Sequence, residues 1–516
     1  MNRNSGINTK KATRLLLVQI KNRTIFNSFE ITNKDFRKYR NDLLIKYPDM
    51  KNYLKKEFFD FDKIWPNWID MLSWMAVEIN MSLEYIRANI NTPTTTIDGE
   101  GTPEKIVYEL NKAKRMGFPY THVGFGIYPV GYSQFIECAK SVKAFDPQII
   151  TIAGNIGSMV DDTKHYVDYV FLGDGVKSLR SFFGEDVNRR YKVELSLSEQ
   201  TVQKGVKWLN FVTKLGCPEK CNFCMSSALF SHKHTPPLVT PKEVYDAVVK
   251  FHKGSKDVLG LTACEPNFLT YRNWSYELFE LFEGYPIPIG FGGPATAKSL
   301  KKFDFERITN SSLHFSFVNV GIESFSEQYS KNSTFNETKM LMHKLRGLGV
   351  GVIGTFIVGF EEQTRESIME ELKLLTKLDC LFYFVQNLKA YPGTEVWDKL
   401  KESNKLLTDI PYDFFSISGF QAFKHPHFKV GFEDMLPLLR DIYKYIMRES
   451  GPEVLNIIGI YENKPNRKLF PRFEEQANIY RKLCKNLFPS WKKYLDPTDE
   501  QIERYLNKIN VQTILA

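Results

Sequence analysis

Three closely spaced cysteines are the most informative feature of this sequence. Cys217, Cys221 and Cys224 lie in the run LGCPEKCNFCMSS, and the other four cysteines are scattered over 516 residues. Thiolates bind soft metal centres, and closed iron–sulfur sites generally use four of them. The C-x3-C-x2-C spacing without a fourth cysteine nearby therefore predicts a 4Fe-4S cluster with three protein ligands. Its fourth iron stays open to a small molecule, as in reactive rather than structural metal sites.

The alternatives for these cysteines are a zinc site and a disulfide. Structural zinc takes four ligands, typically as two separated pairs, and the chain has no second C-x2-C. His232 and His234 are too irregularly placed to complete such a site. A disulfide framework is typical of small secreted chains that are dense in cysteine, and this chain is neither.

Composition places the chain among large globular proteins. Its 516 residues predict two or three domains, and its 43% hydrophobic and 14% aromatic content supports large cores. The net charge of +9 is spread along the chain, so a nucleic-acid partner is not expected. No apolar stretch is long enough to span a bilayer, so no membrane is expected either, and a reducing cytoplasm suits an oxygen-sensitive cluster.

The first 200 residues alternate between strand and helix patterns. Ala12 to Ile20 predicts a buried strand, and a helical, aromatic-rich insertion follows at about 32–90. Further strands are predicted in THVGFGIYP, QIITIAGN and YVFLGDGV, with helices at Thr102 to Met116 and Tyr132 to Phe145. This order predicts a Rossmann-like, doubly wound parallel sheet whose ligand lies at the carboxyl ends of the strands. The glycines in those turns are Gly154, Gly157, Gly173 and Gly175.

A second α/β series occupies residues 201–400, after a polar segment at 186–204 that resembles a linker. Its six predicted strands are WLNFVT, DVLGLTA, PIPIGFGG, HFSFVNVGIES, VGVIGTFIVGF and LFYFVQNLKAYPGT. Six strands separated by helices, with polar residues at the strand ends, predict a partial (β/α)6 barrel. Residues 401–516 are predicted to be mainly helical.

In residues 206–400 the chain resembles the radical S-adenosylmethionine (SAM) superfamily. The resemblance begins with CPEKCNFC and continues, in the family's order, through four more segments. ACEPNF resembles the Gly-Gly-Glu-Pro segment, NVGIES the Gly-x-Glu-Ser segment, FIVGFEE the I-x-G-x-x-E segment, and AYPGTEVW a Pro-Gly-Thr ending. Two departures are Ala263-Cys264 in place of paired glycines, and Thr355 in place of a glycine.

The resemblance implies a role for each matching residue. Cys217, Cys221 and Cys224 would ligate the cluster, whose open iron would chelate the methionine part of SAM. Glu265 would accept hydrogen bonds from the SAM ammonium group, and Glu323 would contact its ribose or methionyl part. Phe223 and the segment from Ile357 to Gly359 would pack near the adenine. Cleavage of SAM to a 5′-deoxyadenosyl radical would then lead to hydrogen abstraction from a substrate.

Two further cysteines are candidate hydrogen-atom donors to a substrate radical. Cys264 is predicted at the carboxyl end of a barrel strand, and Cys380 at the start of the last strand. The alternative for both is packing, because free cysteines are often small buried residues.

The N-terminal part resembles the cobalamin-binding domain that precedes many radical SAM barrels. Its glycine loops, Gly154 to Gly157 and Gly173 to Gly175, lie where that family's loops approach the corrin. The D-x-H-x-x-G signature, which supplies a histidine to cobalt, is absent. A domain that kept the fold and lost cobalamin is the alternative.

Together the two resemblances imply cobalamin-dependent methylation of an unactivated carbon in a peptide or natural product. The electron donor would be a flavodoxin or a ferredoxin. A cobalamin-free radical enzyme, such as an epimerase that uses Cys264 or Cys380, is the alternative. A non-catalytic iron–sulfur protein is a more remote one.

Overall fold

The computed structural model has two parallel sheets flanked by helices. It describes residues 13–20, 36–59, 81–97, 99–199, 207–254, 258–326, 334–451 and 496–507, with scattered residues between 478 and 495. No helix in this part of the chain is long and apolar enough to cross a membrane.

The first sheet contains five parallel strands in the order β2-β1-β3-β4-β5. This is the flavodoxin-like order of doubly wound folds, in which a ligand binds where the strand order reverses, between β1 and β3. The strands are β1 (Leu15–Ile20), β2 (Thr94–Thr96), β3 (His122–Ile127), β4 (Ile150–Gly154) and β5 (Tyr169–Phe171).

Helices cover both faces of this sheet. They are α1 (Phe36–Lys46), α2 (Met81–Asn89), α3 (Pro103–Arg115), α4 (Tyr132–Phe145) and α5 (Gly175–Phe182). The α3 helix begins where the sequence predicts, because the Thr102 hydroxyl accepts a hydrogen bond from the Lys105 amide. Residues on alternate sides of β1 pack into two separate cores, one of which is continuous with the core of the second sheet.

The second sheet is the predicted partial barrel. Six parallel strands lie in sequential order, and β6 (Ser196–Glu199) pairs antiparallel at one edge. The parallel strands are β7 (Lys207–Phe211), β8 (Val258–Ala263), β9 (Ile289–Ala295), β10 (Leu313–Glu323), β11 (Gly351–Val358) and β12 (Phe382–Asn387). Because all six run in the same direction, their carboxyl ends form one face.

Helices follow these strands and extend beyond residue 400. They are α6 (Met225–Leu229), α7 (Pro241–Gly254), α8 (Arg272–Leu281), α9 (Ala297–Lys301), α10 (Phe335–Gly347), α11 (Arg365–Leu375), α12 (Glu395–Glu402), α13 (Met435–Ser450) and α14 (Asp499–Asn507). The α13 helix covers the exposed edge of β12. There the Tyr443 hydroxyl accepts from the Val385 amide at 3.1 Å and donates to its carbonyl at 2.9 Å, which satisfies an unpaired strand edge.

The structure corrects one expectation and adds one strand. The segment 186–204 is not simply a linker, because Ser196–Glu199 forms β6 on the second sheet. Just after the insertion predicted at 32–90, three threonines form β2, which pairs with β1 and was not predicted from the sequence. The tryptophans of the aromatic stretch, at 65, 68 and 74, lie outside the described residues. The domain limits at residues 200 and 400 stay a prediction.

Candidate functional site

The cysteine segment leaves the carboxyl end of β7 through a turn that needs glycine. Gly216 has a φ of +76°, and a Cβ there would collide with the carbonyl of Lys233. Cys217 follows and is buried, whereas Cys221 and Cys224 are half-buried. The Cys224 amide donates to the Cys221 carbonyl at 3.1 Å, and Cys224 precedes α6. All three cysteines lie in the loop that follows β7, at the carboxyl face of the barrel.

The described side chains of this segment do not form a site for a single metal ion. Within the described residues, no three His, Cys, Asp or Glu side chains converge as ligands of one metal ion. A mononuclear zinc site needs such convergence, with each sulfur about 2.3 Å from the metal. In an iron–sulfur cluster each thiolate binds a different iron, so the three cysteines of this loop stay the predicted ligands.

Phe223 connects the cysteine loop to the fifth strand of the barrel. Its ring lies edge-on to that of Phe360, with 6.1 Å between centroids. Phe360 follows Gly359, which comes directly after β11 and has a φ of +85°. Ile357 is half-buried near the end of the same strand. The structure therefore places Phe223 against the residue that follows Gly359, and the adenine contact itself stays a prediction.

The Glu265 carboxylate is paired with side chains of the protein itself. It accepts a hydrogen bond from the Thr213 hydroxyl at 2.6 Å and forms an ion pair with Lys214 at 3.2 Å. The exposed fractions of the Lys214 and Glu265 side chains are 2% and 0%. Burial lowers the pKa of Lys214, and the charge of Glu265 opposes that change. The sequence analysis did not identify Lys214 as a functional residue. Its position between a buried strand and the cysteine motif was the feature that could have indicated it.

Cys264 faces the opposite way from Glu265. Its residue surface is exposed, and its sulfur lies 3.8 Å from Asn210 Oδ1. The sulfur also lies 3.8 Å from the carbonyl oxygen of Thr262, on the same strand. Burial, followed by the charge of Glu265, raises the pKa of this thiol to about 12. The group is therefore a protonated thiol at neutral pH.

Cys380 lies at the other end of the barrel. It precedes β12, is buried, and its amide donates to the Tyr383 hydroxyl at 3.1 Å. A Cβ placed on Gly354 would come within 3.0 Å of its sulfur, so the thiol fills space between neighbouring strands. This position favours packing over hydrogen donation.

Glu323 ends β10 in a strained conformation. Its φ is +62°, and the pairing of β10 with β11 shifts register between Gly321 and Glu323. A bulky residue in the left-handed region costs about 1 kcal/mol or more, and such strain concentrates at functional sites. Glu323 is buried and lies at the same carboxyl face as the cysteines. Its contact with SAM stays a prediction.

A hydrogen-bond network joins the loops after β10 and β11. Gln363 Oε1 accepts from the amides of Gly359 and Phe360 at 2.8 and 3.1 Å, and its Nε2 donates to Glu371 at 2.8 Å. Glu371 also accepts from the Ser324 hydroxyl at 2.7 Å. The sequence motif drew attention to Glu362, whereas Gln363 and Glu371 hold the loop.

Aromatic side chains fill the amino-terminal end of the barrel lumen. The Trp208 and Phe317 rings lie 5.5 Å apart, and Cβ atoms on Gly260 or Gly292 would collide with them. Asn319 is two residues beyond Phe317 and therefore shares its face of β10. Its Oδ1 is buried without a hydrogen-bond partner in the described part of the chain. The lumen thus has an apolar floor and an available polar acceptor above it.

The glycines of the first sheet differ in what surrounds them. A Cβ on Gly157 would lie 2.9 Å from the Ile127 carbonyl oxygen, so this glycine serves packing. Cβ atoms on Gly154, Gly173 and Gly175 would have no atom nearer than 3.4 Å. At these three positions a Cβ would make ordinary contacts without a clash, so packing alone does not require glycine there.

A buried polar atom of Gln19 lies at the same carboxyl edge of the first sheet. Gln19, Gly126 and Gly154 pair across neighbouring strands, and so lie on one face of the sheet at its carboxyl edge. Gln19 is 5% exposed, and its Oε1 has no hydrogen-bond partner among the described residues. Buried polar atoms are normally paired. The Gln19 oxygen is therefore an available acceptor, and cobalamin carries amide donors at its rim.

The carboxyl edges of the two sheets face each other. The Leu229 carbonyl, at the end of α6, is the nearest atom to a Cβ on Gly173, at 3.6 Å. Met159, in the loop after β4, has its sulfur 3.1 Å from a Cβ on Gly393 of the Pro-Gly-Thr turn. The glycine loops of the first sheet therefore contact the cysteine segment and the last loop of the barrel.

Comparisons with known proteins agree with this architecture. The family model described as "Radical SAM superfamily" matches residues 211–375. An uncharacterised methyltransferase of Pyrococcus horikoshii is 25% identical over 264 residues, which is 50% of this chain and 55% of the relative. The chain thus spans about half the length of the curated relative it matches.

Two solved structures share the fold. The cobalamin-dependent SAM radical enzyme OxsB, with aqua-cobalamin and SAM bound, aligns with a TM-score of 0.55 and 13% identity over 98% of this chain and 76% of its own. The radical SAM methyltransferase TsrM from Kitasatospora setae, with cobalamin and a [4Fe-4S] cluster bound, aligns with a TM-score of 0.53 and 11% identity over 92% of this chain and 100% of its own. At these identities the likeness concerns the fold.

Proposed function

Because residues 211–375 form a radical SAM domain, we propose that this chain methylates an unactivated carbon with the help of cobalamin. One observation carries the proposal: the glycine-containing edge of a flavodoxin-like sheet contacts α6, the helix that directly follows the cysteines. A cobalamin at the first edge and a SAM at the second would then share one space. The methyltransferase relative is consistent with this chemistry.

Each part of the chain has a defined task in this proposal. Cys217, Cys221 and Cys224 hold the cluster, and Glu323 and Gly359 lie on the strand ends that would receive SAM. When bound, the cluster and SAM supply the radical that takes hydrogen from carbon, and cobalamin supplies the methyl group. The apolar packing around the lumen excludes water from the substrate carbon.

The proposed substrate is a peptide or another natural product with a hydrogen-bond donor near the reacting carbon. The buried and unpaired Oδ1 of Asn319, on the lumen side of β10, supports a polar substrate. An acceptor buried without a partner is costly unless a ligand supplies the donor. The proposed reductant is a flavodoxin or a ferredoxin, because SAM cleavage requires an electron.

The proposal is tested by reconstituting the intact chain without oxygen, in the presence of hydroxocobalamin. Retained cobalamin absorbance and transfer of labelled methyl from SAM are expected. A Gly154→Leu variant should lose cobalamin and keep the cluster, since Gly154 ends β4 at the edge where the proposed ligand lies. Gly254→Leu is the matched control, because a Cβ at Gly254 meets nothing within 4 Å. If the intact chain retains no cobalamin, the proposal is wrong.

A second function is favoured by Cys264. Its thiol is protonated, reachable, and located at the mouth of the barrel, as a hydrogen-atom donor must be. In a cobalamin-free enzyme it would return hydrogen to a substrate radical, which yields an epimer. Deuterium uptake from heavy water into a product of unchanged skeleton would support this function. Full turnover by Cys264→Ala would eliminate it.

A further inference from the structure

Lys214 precedes the three cysteines in the sequence and contacts Glu265 in the structure. Its Nζ is 3.2 Å from Glu265 Oε1 and donates to the Phe268 carbonyl at 3.1 Å. Lys214 therefore contacts the chain on both sides of the turn that follows β8. It also precedes Cys217 by three residues in the segment that leaves β7. One buried ammonium group thus joins the exits of the first two barrel strands.

The carboxylate of Glu265 has its donors within the protein. Oε1 accepts from the Thr213 hydroxyl at 2.6 Å and from Lys214, and Oε2 faces the Thr213 amide at 3.4 Å. The exposed fraction of its side chain is 0%. A ligand in the barrel mouth would have to displace protein atoms to reach this carboxylate.

The direction of the strand explains why Glu265 is enclosed. The Cys264 amide donates to the Phe211 carbonyl at 2.9 Å, so the β8 ladder continues through Cys264. Successive side chains on a strand point to opposite sides. Cys264 is exposed toward the mouth, and Glu265 consequently points away from it.

We infer that Lys214 and Glu265 are a positioning pair, and that Glu265 acts through Lys214 rather than by contact with the amino group of SAM. The pair fixes the turn after β8 against the segment that leads to the cysteines. Removal of one partner leaves a buried charge without compensation, whereas removal of both leaves none. This inference rests on the proposed function only in taking SAM as the ligand.

A double-mutant cycle tests the inference. Lys214→Met, Glu265→Met and the double variant are reconstituted, and iron content, thermal unfolding and the Kd for SAM are measured on each. Each single variant should lower the melting temperature and weaken SAM binding by about tenfold. The double variant should recover the melting temperature and bind SAM within about threefold of the wild type.

The control is the exposed pair Lys242–Asp246, whose side chains are 58% and 57% exposed. Lys242→Met and Asp246→Asn should change none of the three readouts. A double variant that recovers the melting temperature and iron content but keeps the SAM defect of Glu265→Met overturns the inference, because Glu265 then contacts SAM. Single variants with wild-type SAM affinity also overturn it. A wild-type chain that binds no SAM contradicts the proposed function instead, and the melting temperatures still decide whether the pair positions the turn.

Discussion

Glu371 accepts a hydrogen bond from the Ser324 hydroxyl at 2.7 Å, across the gap between the loops that follow β10 and β11. The same carboxylate accepts from the Phe325 amide at 2.9 Å and from Gln363 at 2.8 Å. Ser324 directly follows the strained Glu323, and Gln363 holds the Gly359 amide. One helix residue thus fixes two strand ends that are proposed to receive SAM.

Replacement of Glu371 by alanine should loosen both loops. Hydrogen bonds to charged groups contribute about 1.5–3 kcal/mol each, so we expect the free energy of unfolding to fall by about 2 kcal/mol and SAM binding to weaken about fivefold. Iron content should not change, because the network does not touch the cysteines. Isothermal titration with SAM on the reconstituted protein measures this. Glu370→Ala is the control, since that side chain is 70% exposed. Equal effects of the two variants would contradict the role of Glu371.

The strands could be predicted from the sequence because their signals are local, and the cluster ligands, which stay a prediction, rest on an equally local signal. Each barrel strand is a short apolar run, and the three cysteines lie within one loop. The Lys214–Glu265 pair was not predictable, because its partners are 51 positions apart and lysine usually lies in solvent. Edge strand β6 was missed because SLSE is polar and gains its pairing only from β7.

The pKa of Cys264 determines its reactivity. With the pKa raised to about 12, about one thiol in ten thousand is ionised at pH 8. We expect alkylation by iodoacetamide to be slow at pH 8 and to accelerate about tenfold per pH unit, since the thiolate is the nucleophile. Mass spectrometry of the cluster-loaded protein, in which the cluster protects its own ligands, measures the rate. Rapid alkylation of Cys264 at pH 8 would contradict the prediction.

Asp413 makes stability depend on pH. It is fully buried in the segment after α12 and accepts from the amide and hydroxyl of Ser133, at 3.1 and 2.5 Å. Burial raises its pKa above the ordinary 3.8. Its contribution to stability is therefore complete below about pH 4, and is lost as the pH rises through the folded-state pKa.

An Asp413→Asn variant should escape this loss. Relative to wild type, its free energy of unfolding should increase from pH 4 upward, by about 1.4 kcal/mol for each unit by which the pKa is raised. Urea unfolding at several pH values measures the difference. Asp409→Asn is the control, because Asp409 is exposed and accepts a hydrogen bond from the Tyr53 hydroxyl at 3.4 Å. A difference that does not change with pH would show that Asp413 is not the titrating group.

Replacement of Gln19 by leucine should increase stability and weaken cobalamin binding. Its buried Oε1 has no hydrogen-bond partner in the part of the chain that is described, so a leucine of similar volume removes an unsatisfied polar atom. We expect Gln19→Leu to stabilise the cobalamin-free protein by about 1 kcal/mol, and to weaken cobalamin binding about fivefold, because the proposed ligand loses an acceptor. Thermal unfolding and absorbance titration with hydroxocobalamin measure the two effects. Gln134→Leu is the matched control: its amide donates to the Gly101 carbonyl at 2.5 Å, so this variant should destabilise the protein and leave cobalamin affinity unchanged. If Gln19→Leu raises the melting temperature and cobalamin still binds as tightly, the ligand does not reach the row formed by Gln19, Gly126 and Gly154.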